Sequence, residues 1–496
     1  MTRPEHFDVV VVGAGAAGCV VAARLAEAPE RSVLLLEAGP DCRGAAPAGF
    51  DDGWQLPRGF DWGYTSEPGE SGEPQAVRRI KLVGGTSWLT RFTPRGAPAD
   101  YDRWAALGNP GWDFESVLPH LMGLENDVDF GDRPYHGDSG PIPVDRYREV
   151  PYTDAAAAVF DAMQQVGLPL VEDHNEPSAV GVGRMPMNSR EGRRVTTADA
   201  YLAATPPNLT VRGDAEVATV IFDGARASGV ALLDGTTVHA DWVVLSAGTY
   251  GSALILMRSG LGPAEHLSSL GIPVLADLPG VGSNLADHCG VEIDCGYRGP
   301  TREEPLLHLI ASFHSSITPA TEAPDLLLWG ADPVRPEGED PWLGIETLLM
   351  RPQSRGTVRL RSADPAERPL IQLPGLRESA DLARLLQAYE RALEVANHPE
   401  VRRVCEAPVA GAPEGRAATE TWIRQTLYSY PHVAGTCAMG PRPEDGAVVD
   451  AGGAVHGADR LSVVDASVMP DIPSGFTHIP TIMIAERLSQ AIAAAL

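Results

Sequence analysis

The sequence predicts an α/β fold, and three observations carry that prediction. The chain opens with a strand–helix–strand run between Phe7 and Glu37, joined by a glycine-rich turn. Two later buried runs, Trp242 to Ser246 and Leu461 to Val464, each end in small residues ahead of a helix or turn. Composition agrees: 496 residues that are 44% hydrophobic and 21% charged, with 52 Gly and 43 Pro, supply a large core and many loops. One two-lobed domain or several smaller ones would fit that length.

Taken in order, Phe7 to Val12 is an apolar β-branched run and Gly13-Ala14-Gly15-Ala16-Ala17-Gly18 is the turn. Cys19 to Ala28 has a helical pattern, and Ser32 to Leu36 is a second buried strand ending at Glu37. Strand before, helix after and an acid about 20 residues on turn a weak G-x-G-x-x-G match into a dinucleotide-binding βαβ unit. Gly13 permits the tight turn, Gly15 lets the backbone approach a pyrophosphate, and Gly18 lets helix and strand pack closely. The helix N-terminus favours the anion, and Glu37 accepts from a ribose hydroxyl. This unit alone does not choose NAD from FAD. A second glycine-rich turn follows at Lys81 to Trp88, then a helix and turn over Asp100 to Trp112. A last helix follows the stretch PSGFTHIPT, Pro473 to Thr481.

The formal net charge of −27 argues against a nucleic-acid surface, which needs clustered Lys and Arg. Six scattered cysteines form no C-x-x-C pair, and no histidine cluster has metal-ligand spacing, so neither a disulfide framework nor a metal site is expected. Cys19 and Cys437 read as core residues. No secretory pattern and no apolar run of membrane-spanning length is evident, and the expected location is the cytoplasm.

Across nearly its whole length the chain resembles the glucose–methanol–choline (GMC) family of FAD-dependent oxidoreductases. The stretches that carry the resemblance include VVVVGAGAAGCVVAARL, VGGTS, DYDRWAALGNPGW, TTADAYL, VVLSAGTYGSALILMRSGLGP, DLPGVGSNLADH, HVAGTCAMG and VVDASVMPDIPSGFTHIPTIMIAERL. The resemblance implies a Rossmann-like FAD-binding α/β domain of GMC type with an α+β substrate domain whose antiparallel sheet roofs the flavin. The two are expected to interleave: 1–150 mainly FAD-binding, 151–190 substrate domain, 191–290 FAD-binding, 291–425 mainly substrate domain, and 426–496 FAD-binding with the catalytic histidines. Carried over by position, Gly13, Gly15, Gly18 and Glu37 hold the ADP half. Val217 meets the adenine edge, and Gly84, Gly85 and Thr86 pass beneath pyrophosphate and flavin. Ala247 and Gly248 close over ADP, Asp465 and Ala466 make phosphate and ribityl contacts, and Thr481 directs a backbone N–H at the flavin.

The implied activity is oxidation of a small-molecule alcohol to an aldehyde or ketone, with O2 or another acceptor taking the electrons. Removing a hydroxyl proton while hydride leaves the same carbon for flavin N5 suits imidazole. His432 and His478 match the family's catalytic pair, the second being Asn in many relatives. The reading assigns the base to His478, although either imidazole meets the requirement; the other orients the substrate oxygen. A lyase or natural-product tailoring enzyme using the same histidines is the alternative. Ser87-Trp88-Leu89-Thr90-Arg91 departs from the family's S-x-N-G pattern and offers no His or Cys, so FAD is expected to be non-covalent. Oligomeric state has no signature in the sequence.

Overall fold

The structure is a computed structural model that describes residues 5–44, 59–301, 309–330, 332–335, 340–408 and 414–496. Two seven-stranded sheets organise it. Their strands, in chain order, are β1 (His6–Val12), β2 (Val33–Leu36), β3 (Gly181–Arg184), β4 (Leu209–Arg212), β5 (Val217–Asp223), β6 (Arg226–Leu232) and β7 (Thr237–Leu245). They continue as β8 (Ala286–Tyr297), β9 (Leu309–Phe313), β10 (Leu326–Gly330), β11 (Trp342–Leu349), β12 (Cys405–Pro408), β13 (Tyr428–Ala434) and β14 (Leu461–Val463). Five helices matter here: α1 (Ala16–Leu25), α2 (Asp154–Gln165), α3 (Gly248–Arg258), α4 (Ser379–Ala396) and α5 (His478–Ala495).

The first sheet runs β4-β2-β1-β7-β6-β5, with β14 also on β7. Its β4, β2, β1, β7 and β14 pair in parallel, while β6 and β5 complete it as an antiparallel meander. A parallel sheet is covered on both faces, so its strands are apolar throughout rather than alternating. Val9 to Val12 and all of β2 are buried accordingly. The α1 helix lies against α5, whose first residue is His478. Gly18 is required for packing: a Cβ there would stand 1.8 Å from the Gly13 carbonyl oxygen.

The second sheet runs β12-β8-β11-β10-β9-β3, with β13 also on β8, and every pairing is antiparallel. Alternation divides its faces. Val291, Ile293, Leu343 and Ile345 enter a core shared with α2 and α4. The opposite face holds Ile310, Leu327, Trp329 and Leu348 against Phe92 and Phe476, in a smaller cluster joined by Tyr430. The expected roofing sheet is therefore present. Its strands come from segments interleaved with those of the first sheet, which explains why no linker is visible in the sequence. Among the described residues no helix is long and apolar enough to cross a membrane.

Candidate active site

A cavity of about 570 Å³ is lined by residues at the C-terminal ends of β1, β2 and β7 of the first sheet and by Tyr430 to Val433 of β13 in the second. At one end are Glu37 and Val217; at the other are His432 and His478. Of the residues singled out from sequence, Gly13, Gly15, Glu37, Gly85, Thr86, Val217, Ala247, Gly248, Asp465, Ala466, Thr481, His432 and His478 all line it. Gly18 and Gly84 do not. Gly18 sits behind the turn, as its packing role requires. Gly84 takes a left-handed conformation (φ 102°) at the start of a one-turn helix over Gly85–Trp88, and a Cβ there would meet the Trp88 indole nitrogen at 2.5 Å. Its left-handed backbone shapes the turn that carries Gly85 and Thr86.

The nucleotide end is built by backbone. Gly15 lies at the N-terminus of α1, where a Cβ would meet nothing within 4 Å, so the chain leaves an open cradle at an unpaired helix end. The Glu37 carboxylate closes β2 against the turn, accepting from the backbone N–H of Ala14 and of Gly39, each at 2.9 Å. Burial pushes its pKa up to about 7. Asp465 is equally occupied: its carboxylate accepts from Gly248 N–H (2.9 Å), Ser252 Oγ (2.6 Å) and Ser467 N–H (2.8 Å), which fixes the turn into α3. An open glycine cradle on a helix end, an acid closing the second strand and a long cavity fit a dinucleotide such as FAD.

Thr481 requires a correction. Its backbone N–H, expected to face the flavin, donates to Thr477 O at 3.0 Å, because α5 begins at His478 rather than beside Thr481. Unpaired amides belong to a helix's first turn, one step nearer the histidine.

At the far end, β13 sets His432 in a ring of aromatics. Its imidazole is 4.6 Å from the Phe476 ring and 4.8 Å from that of Tyr430, and Trp329 and Phe92 extend the cluster edge to face. His432 Nδ1 lies 2.9 Å from Nδ1 of His288, whose Nε2 lies 3.1 Å from the Pro473 carbonyl oxygen. Below, the buried Asp287 carboxylate accepts from the His432 backbone N–H at 2.9 Å and bonds Ser429 Oγ. Burial holds His432 well below the usual imidazole range, helped by nearby positive charge, and pushes His288 and His478 down to about 4. His478 Nε2 is buried with no protein partner. Sequence reasoning passed over His288 although the quoted stretch DLPGVGSNLADH ends on it. Tyr430 stands two residues before His432 on the same strand and was not singled out from the sequence.

Glu125, Asp127 and His136 bring possible ligand atoms within 4.8 Å of one another. The space between them is already neutralised: Arg146 pairs with Asp127 at 2.8 Å and Asp173 at 2.7 Å, and His136 bridges Glu125 and Asp173. Such a network fits a closed structural ion cluster rather than a metal centre.

Comparison with known proteins agrees with this geometry. The GMC oxidoreductase N-terminal model matches residues 7–290 and the C-terminal model residues 352–485. The chain is 35% identical to 5-(hydroxymethyl)furfural oxidase of Methylovorus sp. (strain MP688), over 98% of each protein. It is 34% identical to an oxygen-dependent choline dehydrogenase of Burkholderia vietnamiensis, covering 99% of this chain and 94% of that one. Among solved structures, pyridoxine 4-oxidase from Mesorbium loti superposes with a TM-score of 0.89 at 30% identity, over 98% of both chains. The protein with the two interleaved sheets and the histidine-ended cavity therefore belongs to the GMC oxidoreductase family, as an FAD-dependent oxidoreductase acting on CH–OH groups.

Proposed function

We propose that the protein oxidises a primary alcohol carried on a flat ring, with His432 as the base and His478 as the group that orients the substrate oxygen. The observation that carries the assignment is the chain His432–His288–Pro473. A carbonyl oxygen only accepts, so Nε2 of His288 carries its proton. Held neutral by burial, His288 then offers only a lone pair at Nδ1. His432 must donate from Nδ1, which leaves its Nε2 with a lone pair and free to take a hydroxyl proton. The assignment reverses the preference for His478 drawn from sequence. His478 has no such orienting contact, and its unpartnered Nε2 suits it to hold the substrate oxygen as charge develops.

FAD would be held by the Gly13–Gly15 turn, Glu37, the Gly85–Thr86 turn, Ala247, Gly248, Ala466 and the backbone around Val217, and when bound supplies the hydride-accepting centre. A non-covalent state is supported by the Gly84–Leu89 turn, which contains no His or Cys, and by Cys19, which donates to Ala14 O with its thiol pushed up to about 12 by burial. Phe92 and Tyr430 line the cavity and pack with Trp329 and Phe476 in one aromatic cluster, a surface suited to a ring substrate. Two relatives named for ring-bearing substrates, 5-(hydroxymethyl)furfural and pyridoxine, support that class, and their designation as oxidases favours O2 as acceptor. We assign the first sheet to the FAD-binding domain and the second to the substrate domain. The six unpaired cysteines accord with a reducing compartment, the cytoplasm.

Anaerobic mixing with benzyl alcohol tests the reading: the oxidised flavin band should bleach, and hydrogen peroxide should appear in step with aldehyde once air is admitted. Turnover without bleaching would point to lyase chemistry instead. Acid precipitation should release the flavin into the supernatant, and flavin retained in the pellet would contradict the non-covalent assignment.

A further inference from the structure

One buried carboxylate beside the base has no part in the reaction as described. Asp287 is 2% exposed and does not line the substrate cavity. With Cys289 and Ser429 it lines a second space of about 50 Å³, which shares no lining residue with the first. Burying a carboxylate is costly unless hydrogen bonds compensate, so its partners are informative.

Those partners belong to an irregular stretch of β13. Along β8 the pairing advances by two residues, from Ala286 opposite Ala434 to His288 opposite Tyr430, while β13 spans four. Asp287 alone therefore faces Pro431, His432 and Val433, and the surplus residues form a bulge. Pro431 accounts for the break, because it has no N–H to give to the ladder. Side chains meet the backbone groups of the bulge instead. Asp287 Oδ1 accepts from the His432 N–H at 2.9 Å, and its other oxygen accepts from Ser429 Oγ. On the far side, Thr249 Oγ1 donates to the Val433 carbonyl at 2.8 Å. A bulge re-aims the side chain it carries, and here that side chain is the His432 imidazole, set 2.9 Å from Nδ1 of His288.

We propose that Asp287 is a positioning residue for the base: its carboxyl braces the Pro431–Val433 bulge and so holds the His432 ring on His288, with Nε2 turned to the substrate hydroxyl. It acts through the His432 backbone. The inference rests on the reading of His432 as the base. The brace needs an accepting oxygen in the right place, not a charge. Burial pushes the Asp287 pKa up to about 7, and the neutral carboxyl keeps an accepting oxygen for the His432 N–H. An Asn side chain presents the same oxygen, and its amide can donate to Ser429 Oγ; an Ala side chain presents nothing.

The test follows anaerobic flavin reduction by benzyl alcohol in the wild-type holoenzyme, Asp287→Ala and Asp287→Asn. Reduction at saturating alcohol should slow by roughly ten- to a hundredfold in Asp287→Ala, with KM held, and stay near the wild-type rate in Asp287→Asn. Nitrogen NMR of holoenzyme carrying isotope-labelled histidine gives a readout apart from turnover. The His432 proton should stay on Nδ1 in the wild type and Asp287→Asn, and be shared between both ring nitrogens in Asp287→Ala. A wild-type rate in Asp287→Ala overturns the brace, as does a rise in KM with kcat unmoved. A loss in Asp287→Asn as large as in Asp287→Ala overturns it too, because charge rather than position would then be the cause. Where Asp287→Ala does not accumulate as folded holoenzyme, Ser429→Ala decides. That change frees the carboxyl to rotate and should slow reduction by a smaller factor, and an unchanged rate overturns the brace. Absence of bleaching in the wild type overturns the alcohol reading and the brace together, whereas bleaching that Asp287→Ala leaves unmoved overturns the brace alone.

Discussion

At the residue scale, the chemistry depends on a proton that cannot be placed from sequence alone. His432 and His478 were legible because each sits in a recognisable stretch, but the third imidazole lies 144 positions from His432 along the chain. It reaches its partner only because β8 and β13 pair with His288 opposite Tyr430. His288 is thus a positioning residue. Replacing it with Phe removes the acceptor that fixes the His432 tautomer, and flavin reduction should slow by roughly ten- to a hundredfold while KM for the alcohol holds. An equal rise in KM would point to a role in binding. The acid limb of kcat/KM should fall below pH 6.5, because burial keeps His432 unprotonated well under the usual imidazole range. A limb at or above 6.5 would show an exposed, ordinary base.

At the element scale, two glycines of one turn make opposite predictions. A Cβ at Gly18 would sit 1.8 Å from backbone, so Gly18→Ala should destabilise the apoprotein by about 1–3 kcal/mol in denaturant unfolding. A Cβ at Gly15 meets nothing, so Gly15→Val should leave apoprotein stability nearly unchanged but lower the flavin content of the purified protein. Equal effects at both sites would contradict the cradle. The first sheet was legible because a strand buried on both faces reads as an unbroken apolar run, as VVVV and VLLL do here. The second was not. Its β8 strand, ADHCGVEIDCGY, alternates core residues with half-buried charges at its C-terminal end, while its first six residues are buried without alternation, and so short a period-2 stretch is a weak signal. The α5 helix starts at His478, ahead of the expected start at Thr481, and Pro480 sits within its first turn.

At the scale of the whole molecule, the fold desolvates ionisable groups of both kinds, and stability should depend on pH accordingly. Three histidines, His288, His432 and His478, have folded-state values below the unfolded 6.5. The unfolded chain therefore binds more protons, and their contribution, present above pH 6.5, is lost as pH falls towards 4. Glu37, Asp287, Glu292 and Glu346 are raised to between about 7 and about 8, so their contribution is full below pH 4 and is lost as pH rises through neutrality. The apoprotein should accordingly melt highest on the acid side of neutrality, and His478→Asn should flatten the loss between pH 6.5 and 4 in thermal denaturation. An optimum above pH 8 would refute that balance. The bilobed plan was implied by the resemblance to the GMC family, whereas the proposed division of labour between the two histidines draws on three-dimensional hydrogen bonding. The most direct test of that division is the anaerobic rate of flavin reduction by one alcohol in the wild type, His432→Asn and His478→Asn, each with its flavin content measured. The account predicts a loss of about 10²–10⁴-fold for His432→Asn and a smaller one for His478→Asn, with FAD retained in both. A larger loss for His478→Asn would contradict it.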